Sequence, residues 1–198
     1  MYWPNEFPNG KKFNYIINYP EPFETTELLY FLPVEINNYT LVAVNTKEVK
    51  NISGKTFYNE MADYKYTGLV TEYLKLNKKQ LENRDVIIVG DFNDNIKLCK
   101  KPKDKKRFES MIEEFNDIGL VSLYHTKNEL NIFNCKEEDA TRYDPQKKND
   151  SSYKGDHIDY CFITKRLIEC SKINIKNDNE IKRWKGLSDH FPIILEIK

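Results

Sequence analysis

The chain carries no net charge, since 31 Lys and Arg offset 31 Asp and Glu. That balance excludes attraction of the whole molecule to nucleic acid or to an anionic membrane, so any affinity for a polyanion must be local. Cysteine is scarce: Cys99, Cys135, Cys161 and Cys170, with no pair at CxxC spacing. A zinc ribbon and a dithiol redox motif are thereby excluded. With no disulfide framework to read, a reducing cytoplasm is the expected compartment. No apolar run approaches the ~18 residues of a membrane-spanning helix, so no membrane partner is expected. The first 30 residues hold Pro4, Pro8, Pro20 and Pro22 among polar and aromatic residues, without the basic-then-apolar pattern of a secretion signal. Arginine is also rare, 5 against 26 lysines, which reads as codon bias in an A+T-rich genome rather than selection for binding.

What is present suits a soluble globular chain, 39% hydrophobic and 31% charged. A length of 198 residues predicts one domain over 1–198, with residues 1–27 irregular apart from a short strand at Phe13–Ile17. Residues 28–36 and 39–45, separated by Asn37 and Asn38, read as a β-hairpin. Tyr66, Leu69, Val70, Tyr73, Leu74 and Leu81 predict an amphipathic helix over 62–82. Val86–Val89 reads as a buried strand, 94–106 as a lysine-dense loop and Phe108–Ile118 as a helix with Gly119 as its C-cap. Further strands are expected at 121–124, near 140–143, and at 158–164, 173–175 and 191–197. Strand pairs interrupted by two helices point to sheets with helices on their outer faces.

Three phrases stand out: VIIVGDFND at 86–94, GDHIDYCFIT at 155–164 and LSDHFPIILEI at 187–197. Each sets an apolar run beside Asp, Asn and His, so three strands would deliver acids and imidazoles to one rim. In an extended stretch, positions two apart share a face, so Asp91 and Asn93 point together while Phe92 packs the other way. A carboxylate beside a neutral amide suits water activation: Asp91 orients or deprotonates the water, and Asn93 holds it or a phosphate without adding repulsion. Gly, Asp and Asn also favour ordinary turns, and that reading of GDFND is equally available. His190 can donate to a phosphoryl oxygen or leaving group, and the adjacent Asp189 can bind a metal or fix water. His157 and Asp159 are expected to share a face, with Asp156 a turn residue. His125 reads as a structural residue, while Trp184 either packs or flanks the site before Ser188.

In order and spacing these three motifs resemble the endonuclease/exonuclease/phosphatase family, the phosphoesterases related to deoxyribonuclease I. The resemblance covers roughly residues 28–198. It implies an α/β (α+β) fold, specifically a four-layer α/β-sandwich of two mixed sheets with helices outside. It implies a metal-dependent phosphodiester hydrolase, an endonuclease or exonuclease acting on nucleic acid. It pairs Asp159 with His190, so that the carboxylate fixes the tautomer of the imidazole. Asp91, Asn93, Asp159 and His190 are then the expected catalytic residues. Asp91, Asn93 and Asp189 become the expected ligands of Mg²⁺, with Mn²⁺ an alternative. His157 and Lys47 become expected phosphate contacts, Lys47 standing where the family's Asn-Thr-His strand carries His.

Members of the family open with two more strands, one bearing an Asn and one a metal-binding Glu. Glu6, Glu21 and Glu24 lie in no such context, so the fold is expected to be N-terminally truncated and its metal site weakened. Three readings follow: a fragment or split enzyme, a chain that pairs with a complementary N-terminal chain, or a non-catalytic binder of nucleic acid or protein. A phosphomonoesterase acting on a small phosphate ester is a further alternative. The tract KLCKKPKDKKR at 97–107, with seven basic residues and one acid, favours nucleic acid, although a solvated lysine loop would look the same.

Overall fold

The computed structural model describes residues 31–36, 38–46, 66–134, 139–147, 151–152, 154–175 and 188–198. The expected strand at Phe13–Ile17, the three early glutamates, Lys47, Cys135 and Trp184 lie outside the described residues.

The expected hairpin is formed by β1 (Phe31–Ile36) and β2 (Tyr39–Asn45), antiparallel with Ile36 opposite Tyr39. Helix α1 (Thr67–Leu81) lies between β2 and β3 (Asp85–Asp91), which pair in parallel. Two adjacent parallel strands cannot be joined by a tight turn, and a helix is the usual crossover. Strand β4 (Leu120–Ser122) and strand β5 (Asp159–Thr164) complete a mixed five-stranded sheet of order β1-β2-β3-β5-β4. A second sheet holds β6 (Ser171–Ile175) and β7 (Ile193–Ile197), antiparallel among the described residues.

Alternation along the strands sorts side chains onto two faces. One face of the large sheet carries Val42, Val44, Val86, Ile88 and Phe162 against Val70 and Leu74 of α1 and Phe108, Met111 and Phe115 of helix α2 (Pro102–Asp117). Phe115 and Phe162 stack with ring centroids 3.7 Å apart. Burying each such side chain contributes about 1.5–3 kcal/mol. The other face carries Ile87, Cys161 and Ile163 against Ile173, Leu195 and Ile197 of the second sheet. Three of the four expected layers, helices then sheet then sheet, therefore lie within the described residues. Cys161 is fully buried, and its thiol is pushed up to about 12 by burial.

Three expectations change. The lysine-dense tract is not all loop, because α2 starts at Pro102 rather than Phe108. Proline suits the first helical position, where its missing N–H costs no bond, and Asp104 complements the helix dipole there. The chain after Gly119 forms only a three-residue strand, then turns into a short helix α3 (Leu123–Lys127). His125 lies in that helix, buried, with Nδ1 2.7 Å from Ser122 Oγ. Near 140–143, a single residue, Arg142, makes antiparallel bridges to Asp156 on one side and His190 on the other.

Candidate active site

Asp91 ends β3 and Asp159 begins β5, and the antiparallel register sets the two residues opposite each other. Asn45, the last residue of β2, pairs with Asp91 across the parallel ladder. One rim of the sheet thus gathers three strand ends. Gly90 makes the β2–β3 contact possible. It has φ of 142°, and a Cβ there would lie 2.0 Å from the Val44 carbonyl oxygen.

Asp91 and Asn93 do meet, but not through strand alternation. The strand stops at Asp91, and Asn93 has φ of 51°, in the left-handed region that Asn tolerates. Its backbone N–H donates to Asp91 Oδ1 at 2.8 Å, and its side-chain amide donates to Asp91 Oδ2 at 2.6 Å and to the Thr46 carbonyl. Phe92 packs inward as expected, fully buried against Phe115, Tyr160 and Phe162.

His190 lies between two carboxylates. Its Nδ1 is 3.0 Å and 3.1 Å from the two Asp159 oxygens, and its Nε2 is 3.9 Å from Asp91 Oδ2. The hydrogen bond to Asp159 raises the pKa of the imidazole, outweighing the opposite effect of burial. Burial first, then the charge of Asp159, pushes the Asp91 carboxyl up to about 6. The cluster holds a carboxylate bonded to the imidazole, an imidazole whose pKa is raised by that bond, and a second carboxylate whose pKa is raised by burial. Asp91, Asp159 and His190 each bring a ligand atom within 4.8 Å of the others. Asp189 lies outside that group. Its Oδ2 accepts a 3.0 Å hydrogen bond from Arg142 Nε. Burial pushes the Asp189 carboxyl up, but the Arg142 bond and the neighbouring charges outweigh it and hold the carboxyl below the usual carboxylate range.

His157 is not beside Asp159 on a shared face. β5 starts at Asp159, so alternation does not reach back to 157. His157 is buried, with Nδ1 2.7 Å from the Asp139 carbonyl and its ring packed against Tyr124, His125 and Tyr160. That setting is core packing.

Two residues that sequence reasoning did not single out organise the rim. Thr141 is fully buried, and its hydroxyl accepts the N–H groups of Ile158 and Asp159, both at 2.9 Å. Its carbonyl accepts the Phe191 N–H at 2.7 Å, so one residue ties the Asp159 backbone to the segment bearing His190. Asp94 is buried where α1, α2 and the loop after β3 converge. It accepts from Thr67 Oγ1 at 3.1 Å and Cys99 Sγ at 3.4 Å, with Arg107 at 3.6 Å. Burial raises its pKa, and these partners offset part of the shift. GDFND offered a second acid, but nothing local says that it turns inward.

The sequence matches no protein-family model and no curated protein. Solved structures do match. An AP endonuclease from Archaeoglobus fulgidus superimposes with a TM-score of 0.60 at 14% identity, over 85% of this chain and 65% of that one. A 3′-5′ exonuclease, NExo, from Neisseria meningitidis gives 0.55 at 15% identity, over 94% of this chain and 70% of that one. A NExo variant described as a 3′ phosphatase bound to product DNA hairpin gives 0.53 at 15% identity, over 94% and 69%. The chain has the deoxyribonuclease I-like fold of these proteins and spans about two thirds of their length.

Proposed function

We propose that this chain is a metal-dependent phosphodiester hydrolase acting on nucleic acid. The observation that carries the reading is His190, anchored by Asp159 and facing Asp91, on the rim of a fold shared with an AP endonuclease and an exonuclease. Asp159 fixes the imidazole and favours its charged form. His190 Nε2–H then donates to an oxygen of the phosphate or protonates the leaving oxygen as the P–O bond breaks. Asp91 orients the attacking water and accepts its proton as the new O–P bond forms. Asn93 holds Asp91 in place without adding charge.

The donors at the rim fit a hard divalent cation, since carboxylates converge there with no thiolate among them. Asp91, with Asn93 beside it, would hold Mg²⁺ or Mn²⁺, which supplies Lewis-acid stabilisation of phosphoryl charge. Nucleic acid as substrate is supported by the NExo complex with product DNA hairpin. Exposed Lys97, Lys100, Lys101, Lys103, Lys105 and Lys106, just after the site strand, add to that support.

The test is hydrolysis of plasmid DNA, a DNA hairpin, a 3′-phosphorylated hairpin and a generic phosphodiester, with and without excess EDTA. DNA cleavage abolished by EDTA and restored by Mg²⁺ or Mn²⁺ is expected. Undiminished cleavage in EDTA contradicts the metal role. Release of phosphate alone from the 3′-phosphorylated hairpin would move the reading to a phosphomonoesterase.

A further inference from the structure

The lysines after β3 are the cations the sequence advertises, but a different cation stands at the site. Residues 141–143 are fastened on both sides. Thr141 N–H and Arg142 N–H each donate to the Asp156 carbonyl at 3.0 Å, and Asp156 N–H returns to the Arg142 carbonyl at 2.9 Å. On the other side, Tyr143 N–H donates to the Asp189 carbonyl at 2.8 Å and Phe191 N–H to the Thr141 carbonyl at 2.7 Å. This strap fixes the Arg142 backbone opposite His190. The Arg142 side chain is 31% exposed, and its Nε is held at 3.0 Å by Asp189 Oδ2. Its positive charge acts on the carboxyls of both Asp91 and Asp189.

We propose that Arg142 is the phosphate-binding cation of this site and that Asp189 is the positioning residue that aims its guanidinium. The inference rests on the hydrolase reading above and deepens it. Asp91, Asp159 and Asp189 bring three carboxylates to the rim, and a phosphodiester brings a further negative charge. Among the described residues, His190 and a divalent cation held at Asp91 offset only part of that charge. A guanidinium keeps its charge at every working pH and presents its N–H donors as a planar fork, which Asp189 holds at Nε. Fixing the Arg142 backbone in this strap and its guanidinium plane on the Asp189 carboxylate pre-organises the side chain for a tetrahedral oxyanion. Asp189 then serves through Arg142 rather than as a ligand of the cation at Asp91.

The proposal is tested by calorimetric binding of inorganic phosphate to the intact chain, with and without Mg²⁺, and by kcat and KM on a DNA hairpin. Arg142→Gln is expected to weaken phosphate binding about tenfold or more and to raise KM more than it lowers kcat. Arg142→Lys keeps the charge but not the fork, and about a threefold loss is expected. Asp189→Asn is expected to weaken phosphate binding less than Arg142→Gln. Native phosphate affinity in a folded Arg142→Gln chain overturns the proposal, as does an intact chain that binds no phosphate. If Arg142→Gln does not fold, native affinity in Arg142→Lys overturns it. Arg142-dependent phosphate binding in a chain that cleaves nothing upholds the phosphate site and removes the hydrolase reading. Cleavage with Arg142-independent phosphate binding does the reverse.

Discussion

Gly90 carries more structural weight than a turn glycine. It sits inside the last pair of β3 residues, at φ of 142°, with the Val44 carbonyl where a Cβ would go. Any side chain must push β2 away from β3 one residue before Asp91, so strain and a broken ladder add. Gly90→Ala is therefore expected to destabilise the chain by about 3 kcal/mol or more, the upper end for single substitutions. Urea unfolding measures this, and a change below about 1 kcal/mol would contradict the close approach. Asp91, Asn93, Asp159 and His190 were legible as strand-terminal acids, an amide and an imidazole, and the family resemblance paired Asp159 with His190. Thr141, Asp94 and Arg142 were not legible in that way. Their roles come from partners far along the chain, such as Thr67 for Asp94 and Phe191 for Thr141. The left-handed turn at Asn93 shows the same limit, since alternation predicted the right pairing with the wrong backbone.

Among the elements, those with strong period were read correctly. The hairpin, α1, β3 and β5 were all legible from apolar patterning. The strap at 141–143 was nearly invisible, because one residue bridging two neighbours leaves no alternation to see. The start of α2 was hidden by lysine, which is a good helix former but reads as loop when dense. The strap makes a separate prediction. Thr141→Val keeps the shape but removes the acceptor of two buried N–H groups. A cost of about 2 kcal/mol or more is expected. Cleavage should fall as well, because the Asp159 backbone loses its tether. Thr141→Ser should recover most of both losses, and stability and kcat measured on the pair check this. A Thr141→Val chain as stable as the native one would contradict the account of the strap.

For the whole molecule, the sheets and helices are scaffolding for one rim. The large sheet is held from both sides, by α1 and α2 on one face and by β6–β7 on the other. That packing fixes the ends of β3 and β5, and with them the separation of Asp91 and Asp159. The three motifs made this rim legible, since they name the strands that reach it. The electrostatics were not legible, because Arg142 comes from a stretch with no motif. No described helix is long and apolar enough to cross a membrane.

The central claim is that Asp159, His190 and Asp91 work as one hydrolytic unit. The most direct measurement is Mg²⁺-supported cleavage of a DNA hairpin by the native chain, His190→Ala, Asp159→Ala and the double variant. Cleavage by the native chain is expected, with a loss of about 100-fold or more for His190→Ala. The double variant is expected to be little slower than His190→Ala alone, because Asp159 acts through the imidazole. Losses that multiply, a His190→Ala chain at the native rate, or a native chain that cleaves nothing would contradict that claim.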